Sequence, residues 1–214
     1  MRNARDHRQH QLDRQQQNRR RIAMEAARLM TEHGIRDYHA AKIKAAHSLG
    51  LHNENDLPRN GEIEDARREY LRLFQGDTQP ALVRHKREVA REAMQFFARF
   101  EPRLVGAVLD GSADEHSAVC LHLFSDEPES LQRLLIDQNI PFDESERRLR
   151  FADGEVDEFP VYQFSADDVA IDLTVLPSDL QRQAPLDRVT EKPMRRASLG
   201  ALVVVLNEDA ASNA

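Results

Sequence analysis

Two rhythms of apolar positions run along the chain, and the change between them falls near Pro102. Before it, apolar residues recur every three or four positions, the spacing of one helix face. In RRIAMEAARLMTEHG, Ile22, Ala26, Leu29 and Met30 share a face and Gly34 supplies a stop. YHAAKIKAAHSLG predicts a second helix ending at Gly50, and the polar stretch LHNENDLPRNG predicts a loop. GEIEDARREYLRLFQG aligns Ile63, Ala66, Tyr70, Leu73 and Phe74. Pro80 suits a first helical turn, and the helix it opens carries Leu82, Val89, Ala93, Met94, Phe97 and Phe100. Stripes of this kind predict core.

After Pro102 the period shortens to two. LVGAVL, AVCLHLF, RRLRF, FPVYQF and VAIDLTVL predict strands, with one helix at PESLQRLLIDQN and a last helix starting near Pro193 in PMRRASLGALVVVL. Helices followed by strands with a crossover helix predict an α+β fold, an N-terminal helical region followed by a mixed sheet with flanking helices. The expected divisions are a basic arm at 1–21, a helical region at 22–100, an α/β domain at 101–206 and a frayed tail at 207–214.

Charge adds a feature that the apolar pattern does not carry. Arg2, Arg5, Arg8, Arg14, Arg19, Arg20 and Arg21 face only Asp6 and Asp13 in the first 21 residues, a net +5, which leaves −12 in the rest of a chain whose total is −7. A basic, Gln-rich arm on an acidic body predicts a phosphate-bearing partner, RNA or DNA. The competing reading is a solvated helical extension, or one paired with the protein's own acidic body. The arm has no aromatic residue on which bases could stack. No apolar run approaches the ~20 residues that span a bilayer. The first residues have no apolar signal core, and a lone cysteine makes no internal disulfide. These features predict a cytoplasmic protein with no membrane partner.

Candidate chemistry gathers on two strands. Alternation puts Ala118, Cys120 and His122 on one face and Val119, Leu121 and Leu123 on the other, which is the expected core face. Asp172 stands alone among the apolar residues of VAIDLTVL, where a carboxylate is expensive unless compensated. The two strands thus predict a polar seam bearing His122 and Asp172. With Cys120 these could form a soft site for Zn²⁺; the alternative is a hydrogen-bonded strand histidine beside a small buried thiol. Arg195 and Arg196 follow Pro193 at the expected start of the last helix, where a helix N-terminus and two guanidinium groups favour phosphate. A salt bridge to the acidic body is the alternative.

The ordered set LVGAVLDGS, HSAVCLHLF and VAIDLTVLP resembles the nucleotidyltransferase superfamily of the DNA polymerase beta type, over roughly Glu101 to Leu206. In that family a Gly-Ser turn after a strand offers backbone N–H groups to a triphosphate. Two acids on the next strand and a third on a later one hold two Mg²⁺ ions. The resemblance implies a phosphate-binding role for Gly111 and Ser112 and the third-acid role for Asp172. Ala118 and Cys120 stand where the paired acids belong. Alanine has no ligand atom and a thiolate is too soft for Mg²⁺. Asp110, Asp114, Glu115 and Asp126 flank the turn, either as replacement acids or as loop and capping residues. The expectation is a degenerate nucleotidyltransferase-like protein that binds nucleotide or RNA without two-metal catalysis. The alternatives are an active metal-dependent nucleotidyltransferase and a non-enzymatic protein-interaction adaptor.

Overall fold

The computed structural model describes residues 2–74 and 78–212, with side chains from Gln9 to Phe74 and from Thr78 to Ala211. The chain divides into two compact units, Met1–Asp77 and Thr78–Ala214. The division follows the third helix, so the fourth helix belongs with the sheet and not with the helical region expected to run to residue 100.

In the first unit α1 (Arg2–His33) packs against α2 (Tyr38–Ser48) and α3 (Asn60–Phe74). Its core is Ile22, Ala23, Ala26, Leu29, Met30, Ala41, Ala45, Ala46 and Ile63. The many alanines let the helix backbones approach closely while keeping helix propensity high. Asp37 caps α2, its carboxylate accepting from the Ala40 N–H at 2.6 Å. Leu73 and Phe74 do not join this core. They are 61% and 69% exposed, because the buried stripe of α3 runs Ile63, Arg67, Leu71 and ends before the last turn. The basic arm is not a separate segment; it is the first part of α1.

In the second unit α4 (Gln79–Phe96), α6 (Glu129–Asp137) and α7 (Leu199–Ser212) accompany a five-stranded mixed sheet of order β1-β2-β5-β4-β3. The strands are β1 (Arg103–Val105), β2 (Val119–Phe124), β3 (Asp143–Arg150), β4 (Val156–Ala166) and β5 (Val169–Leu176). Only the β2–β5 pair is parallel. Val119, Leu121, Leu123, Ile171, Leu173, Val175 and Tyr162 project from one face into the main core, where Met94, Phe97, Leu131, Leu135, Leu202 and Leu206 meet them.

Two expected elements differ. LVGAVL is strand only to Val105; Gly106 turns the chain at φ 73° and ψ −154°, and the short helix α5 (Ala107–Asp110) follows. Only glycine adopts that backbone region readily. The last helix starts at Leu199 and not near Pro193. Residues 193–198 are not helical, and Ala197 exchanges two backbone hydrogen bonds of 2.9 Å with Leu104, alongside β1. The Ser198 hydroxyl then accepts from Ala201 N–H at 3.3 Å at the start of α7. That helix continues to Ser212, through most of the tail expected to fray.

Candidate functional site

The sheet face away from the main core is built in rows fixed by register. One row runs Cys120, Asp172, Gln163, Asp143 across β2, β5, β4 and β3. The next runs His122, Thr174, Val161, Ser145. Beyond it Phe124, Leu176 and Phe159 join Leu149 and Phe151 in a small apolar cluster, against which Leu180 packs. His122 and Asp172 therefore share the face that alternation assigned them.

Asp172 is 3% exposed. Its charge is matched by Arg147, which reaches over from β3 and grips both oxygens, Nη1 to Oδ1 and Nη2 to Oδ2, each at 2.8 Å. Gln163, directly opposite on β4, donates to Oδ2 at 2.7 Å. The same Arg147 Nη1 also donates to the Thr174 hydroxyl at 2.9 Å. A planar guanidinium fork matches a carboxylate edge, which makes this pairing strong and directional. The pair holds the Arg147 guanidinium more firmly protonated than an ordinary arginine.

His122 is also buried, and its Nδ1 accepts from Arg196 Nε at 3.2 Å. Burial above all, then the charges of Arg196 and Arg147, push its pKa down to about 3. It is neutral at physiological pH, and the Nδ1 lone pair is occupied. Arg196 stacks over Phe124 at 5.3 Å, and its Nη1 donates to the carbonyls of Leu180 and Gln181 at 3.0 and 3.3 Å. Burial and the neighbouring Arg103 lower its pKa to about 10. Arg195 points elsewhere, pairing with Asp110 at 2.9 Å. Neither arginine stands at a helix N-terminus, so the phosphate site expected there has lost the helix that would have built it.

The Gly111-Ser112 turn also differs from expectation. Gly111 is the C-terminal cap of α5, at φ 77°. Its N–H and that of Ser112 both donate to the Ala107 carbonyl, the latter at 3.0 Å. The two donors that the resemblance assigned to a triphosphate are thus engaged within the turn. The glycine that follows the first strand directly is Gly106. From α4, Gln79 donates to the Gly111 carbonyl at 3.0 Å, and Arg87 Nε and Nη2 donate to those of Val108 and Leu109 at 3.0 Å each. Lys86 donates to the carbonyls of Glu115 and Ser117.

The flanking acids hold loops. Asp114 accepts from the Ser117 hydroxyl at 2.7 Å, and Asp126 accepts from the Ser178 N–H at 2.9 Å. Among the described residues no group of three or more His, Cys, Asp and Glu side chains is placed to hold a metal ion. The fit to Mg²⁺ fails on chemistry: Ala118 offers no oxygen, Cys120 offers sulfur, and both oxygens of Asp172 are held by Arg147 and Gln163. At the softer His122–Asp172 pair, Arg147 holds both carboxylate oxygens of Asp172 and Arg196 donates to His122 Nδ1.

On α1, Arg19 Nη2 donates to the Asn55 carbonyl at 3.1 Å, beside bonds from Gln15 to Asn55 and from Asn18 to Asp56 of 2.8 Å each. Arg19 therefore serves the unit's own loop. Arg14, Arg20 and Arg21 are exposed on the helix. The side chains of Arg2, Arg5 and Arg8 lie outside the described residues.

Arg147 and Gln163 are the members of this site that sequence reasoning missed. Each had a signal. In SERRLRF, Arg147 alternates with Leu149 and Phe151, which places one charge on an inward-facing row, and Gln163 holds the same position in FPVYQF. No family model, curated protein or solved structure matches the chain. Among the described residues no helix is long and apolar enough to cross a membrane.

Proposed function

We propose that the chain is a nucleotidyltransferase-like protein that binds phosphate-bearing ligands, nucleotide or RNA, without two-metal transfer. The observation that carries this reading is the fork of Arg147 on Asp172. In an active member of the family a divalent cation neutralises the strand acids. Here a fixed guanidinium supplies the positive charge, and the two positions for the paired acids hold Ala118 and Cys120. A tethered cation can balance Asp172 permanently, but it cannot bridge an attacking oxygen and a leaving phosphate as a pair of ions does. The phosphate contacts fall instead to exposed arginines, of which Arg14, Arg20 and Arg21 on α1 are the described examples. Their partner is met by charge, so binding is tolerant of sequence and weakens as salt rises.

Two measurements test the reading. With Mg²⁺ or Mn²⁺ and each of the four ribonucleoside triphosphates, the protein releases no pyrophosphate above background. Metal-dependent turnover that disappears in Asp172→Asn would overturn the proposal in favour of an active enzyme. In the second, labelled single-stranded RNA is titrated at two salt concentrations. Binding is expected to weaken with salt at a log–log slope of about −0.7 per neutralised phosphate. The variant Arg14→Gln/Arg20→Gln/Arg21→Gln lowers both affinity and slope. It is preferred to deleting the arm, which would also remove the bonds of Gln15, Asn18 and Arg19 to the 53–56 turn. No binding of RNA or nucleotide at low salt would favour the adaptor reading.

A further inference from the structure

The two edges of the sheet are unequal. The β1 edge is backed by the Leu104–Ala197 backbone pair, whereas β3 is an eight-residue edge strand with charged residues at most positions. Backbone groups along a strand alternate in direction. The Arg150 carbonyl accepts from the Leu186 N–H at 2.7 Å, on the side away from β4, while the Phe151 N–H donates back to Glu155 at 2.9 Å. The even-numbered residues therefore turn their N–H and C=O outward. Among the described residues, nothing bonds to those groups on Glu144, Glu146 and Arg148.

The charges on this edge are sorted. Asp143, Glu144 and Glu146 fill the first half of DESERRLR, and Arg147, Arg148 and Arg150 the second. An edge protected only by charge needs no such order, because scattered lysines suffice. Sorted charges are self-complementary in one arrangement. A second copy in antiparallel orientation sets acids against bases, whereas a parallel copy sets like against like.

We propose that the β3 edge pairs with the β3 edge of a second copy of this chain, antiparallel about a twofold axis at Arg147. Alternation allows only even residues to face even ones, which leaves few registers. With the axis at Arg147, Glu146 faces Arg148, twice by symmetry, and the pairing ends there, because the Leu186 N–H already fills the outward carbonyl of Arg150 and Glu191 already pairs with its guanidinium. Glu146 and Arg148 exchange backbone hydrogen bonds at both equivalent positions. The Arg147 guanidinium is drawn back onto Asp172, away from the axis. An axis at Glu146 would instead set two carboxylates face to face. Arg148 must leave its exposed 3.5 Å contact with Glu158, a surface pair of small worth.

A short, polar interface of this kind is concentration-dependent and weakened by salt. Sedimentation velocity of the full chain over a concentration series, at low and high salt, tests it. The dimer fraction rises with concentration and falls with salt. Glu146→Arg and Arg148→Glu each weaken association about tenfold, since each turns two attractive cross-strand pairs repulsive. The combined Glu146→Arg/Arg148→Glu variant restores it. Glu146→Pro removes an outward N–H that the monomer does not use, so the variant keeps its circular dichroism spectrum and loses the dimer. A monomer at every concentration in low salt would overturn the proposal. So would a dimer unmoved by Glu146→Pro, or single reversals that the exchange does not rescue.

Discussion

The two faces of β5 bury equally well by opposite means. Ile171, Leu173 and Val175 meet the helices, and nothing on that side needs a particular partner beyond shape. Asp172 and Thr174 are as fully buried on the other side, but their burial holds only because Arg147 and Gln163 bond to them. Apolar burial gains by area and tolerates many neighbours, whereas polar burial depends on named partners and fails when one is removed. The contrast separates two kinds of burial: one face is held by shape, and the other by charges and donors that satisfy one another.

The largest expected effect breaks the polar face at its cation. Arg147→Met leaves a buried carboxylate with Gln163 and no counter-charge, at a cost of about 3 kcal/mol, near the low end for broken buried pairs because Arg147 is 29% exposed. Adding Asp172→Leu removes the orphaned charge and recovers most of that loss. Leu173→Ala on the apolar face costs a similar ~3 kcal/mol as a cavity, but no second polar change recovers it. Denaturant melts of the four proteins separate the cases. Failure of the double variant to exceed Arg147→Met would show that the fork is not what holds Asp172 buried.

Acid provides a milder probe. Burial lowers His122 from its ordinary 6.5 to about 3, so the unfolded chain takes up a proton below pH 6.5 that the folded chain refuses. Stability from this group is complete above pH 6.5, declines as pH falls through that window and levels off below about 3. Between pH 6.5 and pH 5 the loss is about 2 kcal/mol. His122→Asn keeps an acceptor near Nδ1 and should flatten this part of the stability–pH curve; an unchanged slope would mean that another group carries it. The smallest effect belongs to Gln163→Leu. It removes one donor to Asp172 while the fork remains, and should cost about 1 kcal/mol in the same melts.

Periodicity alone determined the order of elements. A helical first half, the strand at Val169–Leu176 and the inward face of β2 follow from apolar spacing, because burying a regular element demands a regular pattern. Alternation also set His122 and Asp172 on one face. Short-range signals misled where long-range pairing competed with them. Pro193 looked like a helix start, but Ala197 pairs with Leu104, a residue 93 positions earlier. Gly111-Ser112 looked like a phosphate turn, but the chain had already turned at Gly106, and the amides of Gly111 and Ser112 close onto Ala107. The partner of Asp172 depends on a β3–β4–β5 register that brings together residues 25 positions apart. A lone acid in an apolar strand announces that something must neutralise it. Whether that is a metal ion or Arg147 is settled only when the strands are laid side by side, because neutralisation depends on distance in space and the sequence records only distance along the chain.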